Sequence, residues 1–386
     1  MDKIIHAGRL LGAPDPFIQK EMMVILEKDK IEDVISAEGY RPPESVEIVD
    51  WSGYTVMPGL VDCHDHLGFD LGNEEAQAYQ SDFINILKGV HNARLILRAG
   101  ITTLRLMGEK NGMDMAWKQA IEAGWMVGPR LVTSCRLIAR TGGHGWYIGM
   151  EADGVDAIHT AIRTQLKTGA DFIKIMVTGG AGTAGSGLLA PEYTDEEIVA
   201  AVTEAHRCGM KIAGHAYGGP ASRTAIECGM DSLEHGVYLT EADMERMVMK
   251  GTYLVVTYGV MVAAGKLPDL PQFMVEKCTA AAEHYMETIA LAKKHGVKVA
   301  IGGDTYHGDP KTELEALVRG GFSNEAALKA GTIAGAELVG LEDLIGSIEK
   351  GKFADLIAIE GNPMDDISDI ANVAAVMKGA AIQPVL

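Results

Sequence analysis

At 386 residues, 47% hydrophobic and 23% charged, the chain has the composition of a globular protein able to bury a large core. A formal charge of −19 argues against a nucleic-acid partner, since a phosphate backbone must be neutralised by cations. No run approaches the ~20 apolar residues of a membrane span, and the first residues lack a signal-peptide pattern, so a cytoplasmic protein with no membrane partner is expected.

Residues 1–54 read as short strands at Lys3–His6, Glu21–Leu26 and Val46–Val49. From Thr55 to about Leu341 the pattern alternates between strand and helix. Strands are predicted at Thr55–Cys63, Thr102–Met107, Arg130–Ser134, Phe172–Val177, Lys211–Ala216, Ser232–His235, Tyr253–Thr257 and Val297–Gly302. Between them, Thr194 and Glu197 form a capping box for a helix that Gly209 ends, and Thr240 caps a helix running to Gly251. Beyond Leu341, Ala354–Ile359 and Val373–Lys378 read as strands again. Eight strands separated by helices predict an α/β protein with a (β/α)₈ TIM-like barrel over 55–341. The two β-rich ends, 1–54 and 342–386, are expected to meet in one small sheet domain. No dinucleotide fingerprint follows the first strand, and the glycine-rich 179–187 stretch reads as a flexible active-site loop. Cys63, Cys135, Cys208, Cys228 and Cys278 have no paired spacing and read as buried thiols in a reducing compartment.

The chemistry lies at the strand ends. His64 and His66 close an apolar run, and strand alternation sets two such imidazoles side by side. His215 and His235 each follow a short apolar strand, and neutral imidazole is a common metal ligand. Asp304 ends Val299-Ala-Ile-Gly-Gly-Asp, where an Asx-turn is the alternative to a metal ligand that takes a proton from water. Lys174 lies between Ile173 and Ile175. Residue chemistry leaves two readings: an ammonium paired with a buried acid or at a solvent edge, or an amine converted by carbon dioxide into an anionic, bridging carbamate. Metal-binding types at several parallel strand ends describe a centre at the mouth of a barrel.

With these residues in view, the chain resembles the amidohydrolase superfamily, and within it the prolidase-like Xaa-Pro dipeptidases and metal-dependent carboxypeptidases. The matching segments run in order from Pro58-Gly-Leu-Val-Asp-Cys-His-Asp-His through Thr141-Gly-Gly-His-Gly and Gly169-Ala-Asp-Phe-Ile-Lys-Ile-Met. They continue with His215-Ala-Tyr, Ser232-Leu-Glu-His-Gly, Gly302-Gly-Asp and Gly346-Ser-Ile-Glu-Lys-Gly-Lys-Phe-Ala-Asp-Leu-Ile. The resemblance implies a barrel plus a small β-sandwich built from both termini. It also implies two divalent ions, zinc or else manganese, cobalt or iron, with His64, His66 and Asp304 on one, His215 and His235 on the other, and Lys174 bridging as its carbamate. His144 and Tyr217 would polarise the scissile carbonyl, and Asp304 would carry the proton. A homo-oligomer is expected by the same analogy. Two departures stand out: the segment from His144 to Lys174 is short, and Asp65 occupies a position usually apolar, to which no role is assigned.

The expected activity is hydrolysis of an amide or peptide C–N bond in a small molecule, a dipeptide or N-acyl amino acid. Arg140 and His307, beside the Gly-Gly-His and Gly-Gly-Asp segments, are the candidates to receive a substrate carboxylate. The rivals are a cyclic amide, carbamate or aryl amide at the same centre, a deaminase, and an inactive scaffold on the same fold.

Overall fold

The structure, a computed structural model, describes residues 2–12, 17–267 and 269–384. In chain order the strands are β1 (Lys3–Leu11), β2 (Ile18–Glu27), β3 (Lys30–Ser36), β4 (Glu47–Pro58), β5 (Leu60–Asp65), β6 (Ile101–Leu106), β7 (Arg130–Thr133), β8 (Ile138–Ala139) and β9 (Met150–Glu151). They continue as β10 (Phe172–Met176), β11 (Lys211–Gly218), β12 (Ser232–Tyr238), β13 (Tyr253–Val256), β14 (Val299–Ile301), β15 (Leu356–Ile359), β16 (Val373–Lys378) and β17 (Ala381–Ile382).

Both ends of the chain contribute to one seven-stranded sheet in the order β17-β16-β15-β4-β1-β2-β3. Only the β1–β4 pair is parallel. Ile5, Leu10, Val24, Leu26, Trp51, Val56, Leu356 and Met377 gather into its apolar core. The strand expected over Thr55–Cys63 is two strands: β4 ends in this sheet at Pro58, and β5 starts at Leu60 among the parallel strands.

The other strands pair in parallel throughout, as β14-β13-β12-β11-β10-β8-β9 and as β5-β6-β7. The eight strands read from sequence are all present, and the two-residue β8 and β9 come in addition. Among the described residues no ladder joins β7 to β8, so the hydrogen-bonded ring is open there. On the other side a parallel bridge pairs Asp65 with Asp304, and Asp304 N donates to His64 O at 2.6 Å. That approach depends on Gly302, where a β-carbon would lie 2.4 Å from the His64 Cβ.

Outward residues of the parallel strands, among them Ile173, Ile175, Ile212, Leu233 and Leu254, pack into one large core with Ile198, Val202, Ile226, Met244 and Ile289 of the covering helices. Helix caps follow their residues. Thr194 and Glu197 exchange hydrogen bonds at the head of Asp195–Arg207, and Thr240 does the same with Asp243 before Glu241–Lys250. None of the described helices is long and apolar enough to cross a membrane.

Candidate metal centre and active site

Inward residues of the parallel strands meet in one cavity with about 690 Å³ of empty space, mouth included. On β10, alternation sends Ile173 and Ile175 to the outer core while Lys174 and Met176 line the cavity. On β11 it brings His215 and Tyr217 inward. His64 and His66 arrive at the end of β5, and Asp304 follows β14. His144, between β8 and β9, also lines the cavity.

β12 departs from alternation. Glu234 and His235 are adjacent, yet Glu234 reaches His64 while His235 lies against His215. The backbone explains this: His235 has φ 73°, a left-handed conformation that turns its side chain to the same interior. Asp304 is also left-handed, at φ 57°. Such strain in non-glycine residues is typical of functional sites.

The distances define a compact cluster. Asp304 Oδ1 is 3.9 Å from both His64 Nε2 and His66 Nε2, and these three residues can direct one ligand atom each at a common ion. His235 Nε2 and His215 Nδ1 are 2.9 Å apart, and the His64 and His235 rings are 4.8 Å apart between centroids. The opposite ring nitrogens are held from behind. His64 Nδ1 meets Glu234 Oε2 at 2.8 Å, His66 Nδ1 meets Gly108 O at 2.8 Å, and His235 Nδ1 meets Thr257 Oγ1 at 2.7 Å. Contacts of this kind fix the ring orientation and leave the other nitrogen for a metal. Glu234 is anchored in turn by Ser232 Oγ at 2.6 Å and Arg105 Nη2 at 3.6 Å.

Burial is the main cause holding His64, His66, His144, His215 and His235 well below the ordinary imidazole pKa, His66 and His144 at about 3. Neutral rings keep the lone pairs that a metal requires. Burial also lowers Lys174 to about 8, against the pull of Glu234 and Asp304. An amine so close to neutrality has a free lone pair in an appreciable fraction of molecules, as reaction with carbon dioxide demands. The donor set of imidazoles, a carboxylate and a reactive amine therefore fits divalent metal ions.

His144 Nδ1 lies 2.9 Å from Thr183 Oγ1, and Tyr217 OH faces only the weak acceptor Met261 Sδ at 3.6 Å. The loop bearing Thr183 is pinned: Lys277 Nζ donates to the carbonyls of Gly180, Thr183 and Ser186. Gly180 passes so close to His144 that a β-carbon there would lie 2.1 Å from Nε2.

Arg140 and His307 are absent from the cavity lining. Arg140 Nε pairs with Glu192 at 2.6 Å. His307 Nδ1 lies 2.9 Å from Asp65 Oδ1, and its pKa rises to about 9 because Asp65 outweighs the cost of burial. Asp65 thus has a structural partner that its sequence position did not disclose. Cys63 packs against Gly335, outside the cavity lining. Sequence reasoning missed Glu234, Thr257 and Lys277. For Glu234 a signal existed in Ser-Leu-Glu-His, but strand alternation admits only one of the last two residues to the interior.

The sequence model of the Amidohydrolase family matches residues 55–383. The chain belongs to the amidohydrolase family. Ochratoxinase from Aspergillus niger is 30% identical over 406 aligned positions, covering 94% of this chain and 82% of that protein. A crystal structure of a Xaa-Pro dipeptidase with bound methionine in its active site superposes with a TM-score of 0.92 at 30% identity, covering 99% of both chains. A prolidase complexed with N-methylphosphonate-L-proline gives 0.93 at 27% identity, again over 99% of both. This amidohydrolase acts on carbon–nitrogen bonds, and its His-His-Asp group can bind metal.

Proposed function

We propose that this amidohydrolase is a two-metal enzyme that cleaves the amide bond of a dipeptide, of the Xaa-Pro type, or of an N-acyl amino acid. The observation carrying this reading is the convergence of His64, His66, Lys174, His215, His235 and Asp304 on one cavity. His64, His66 and Asp304 would hold one ion, His215 and His235 the other, and Lys174 as its carbamate would serve both. Zinc suits these donors, and manganese, cobalt or iron would also be accepted. When bound, the ions supply water activated at neutral pH and a Lewis acid for the carbonyl.

The chain's own residues do the rest. Asp304, with Oδ1 3.9 Å from both His64 Nε2 and His66 Nε2, is the carboxylate placed to take a proton and pass it to the leaving nitrogen. In the tautomer whose Nδ1 accepts from the Thr183 hydroxyl, His144 carries its proton on Nε2 and can donate to a developing oxyanion, as can Tyr217. The apolar wall of Leu137, Ile148, Met176, Val260 and Met274 suits the second reading, an aryl or cyclic amide or a carbamate. The parallel strands are proposed to form a barrel whose ring lacks hydrogen bonds between β7 and β8, and the terminal strands a sandwich. A cytoplasmic homo-oligomer completes the proposal, consistent with exposed Phe83 and Leu87 four residues apart on the helix Asp82–Arg98 and with five free thiols.

Metal analysis by mass spectrometry after loading should give about two ions per chain. Asp304→Asn should retain metal but lose about 100-fold or more in kcat on dipeptides. Activity surviving within a few-fold would exclude Asp304 as the proton carrier.

A further inference from the structure

The cavity lining contains a carboxylate that neither the metal ligands nor the proposed proton transfer uses. Glu74 opens the short helix Glu74–Ala78, whose first turn is capped by Asn73 Oδ1 on Ala76 N. Tyr147 OH donates to Glu74 Oε2 at 2.9 Å, while Oε1 accepts no hydrogen bond among the described residues. Both side chains line the cavity. A β-carbon placed on Gly182 would lie 3.5 Å from Glu74 Oε2, 3.5 Å from Tyr147 OH and 3.8 Å from His144 Cε1. Three polar tips therefore converge at one point of the wall, beside the group proposed to polarise the carbonyl.

Bound metal ions aside, Glu74 and Asp304 set the sign of the charge around that point. Among the described residues Lys174 is the only lysine or arginine in the lining, and as a carbamate it would be an anion. Arg140 and His307 are committed to Glu192 and Asp65 outside the lining. A half-desolvated carboxylate with an open oxygen gains most from a charge-assisted hydrogen bond to a cation, and it repels an incoming carboxylate.

We propose that Glu74, oriented by Tyr147, receives a substrate ammonium group, so that the preferred substrates are amides with a free amine beside an apolar side chain rather than N-acylated amino acids. This rests on the amide-hydrolase reading of the same cavity and selects within it.

The test is calorimetry on metal-loaded enzyme with leucinamide and N-acetyl-leucinamide, which share an apolar group and lack a carboxylate. Leucinamide should bind about 10-fold tighter or more. Glu74→Gln should erase that preference, and Tyr147→Phe, which keeps the carboxylate but frees its orientation, should reduce it. Equal or tighter binding of the acetylated ligand, no measurable binding of leucinamide, or an unchanged preference in the variants would overturn the proposal. Should Glu74→Gln fail to fold, Tyr147→Phe decides alone. Turnover of leucyl-proline by the same preparation reports separately on hydrolysis: selective amine binding without cleavage would refute the dipeptidase reading and leave the amine site standing.

Discussion

Glu234 and His235 occupy successive positions, and a regular strand would send them to opposite faces. The left-handed backbone at His235 turns both inward, so one residue braces His64 while the next joins His215. His64, His66, His215, His235 and Asp304 stood out in the sequence because metal-binding types closed apolar runs, whereas Lys174, inside such a run, entered the ligand set only through the family resemblance. Glu234 was not, because the period-two rule that located the histidines excluded it. If Glu234 fixes the His64 ring, Glu234→Gln should weaken metal affinity by about 10-fold or more while retaining the shape of the side chain. A metal titration with unchanged affinity would remove Glu234 from the centre. Lys174→Ala should likewise bind less metal and lose activity by about 100-fold or more, with partial rescue by a short-chain carboxylic acid if a carbamate is the missing group.

The 179–187 loop and the helix Gln272–His295 form a unit through Lys277, whose ammonium bonds three loop carbonyls. From sequence the loop reads as flexible, because glycine content reports freedom in the unfolded chain and not the contacts made after folding. Lys277 was equally hidden, being one of three lysines on its helix. The loop in turn holds Thr183 against His144. Lys277→Met should therefore lower kcat more than it raises KM, with metal content unchanged. Gly180→Ala, which puts a methyl into the His144 ring, should cost about 10-fold or more in kcat. Steady-state kinetics at full metal loading decide both. Helix starts, by contrast, were legible at Thr194 and Thr240, because a capping box is a local interaction fixed by spacing alone.

Across the whole molecule, alternation of strand and helix disclosed the parallel strands, and the sheet at the two ends followed from their lack of helical pattern. β3 escaped because Lys30-Ile-Glu-Asp-Val-Ile-Ser mixes charge with few apolar residues, and β8 and β9 are too short for any periodicity. The junction between the terminal sheet and the parallel strands places Lys378 of β16 against Gly128 O, at 2.7 Å. Burial, and next Arg130, lower its pKa from 10.5 to about 8. Between those pH values the unfolded chain holds a proton that the folded chain has released, so this lysine costs stability at neutral pH and the cost fades as pH rises. Lys378→Met should show its best denaturation midpoint relative to the parent below pH 8, with the difference turning against the variant toward pH 10.5. A difference constant with pH would mean that the lysine is charged in both states.

The terminal sheet places β4, made early, between β1 and β15, made late. During synthesis on the ribosome, β4 thus presents an unpaired edge until β15 has emerged. Such an edge invites association with other nascent chains, so the period before the last strands arrive is the one in which this fold is most open to aggregation.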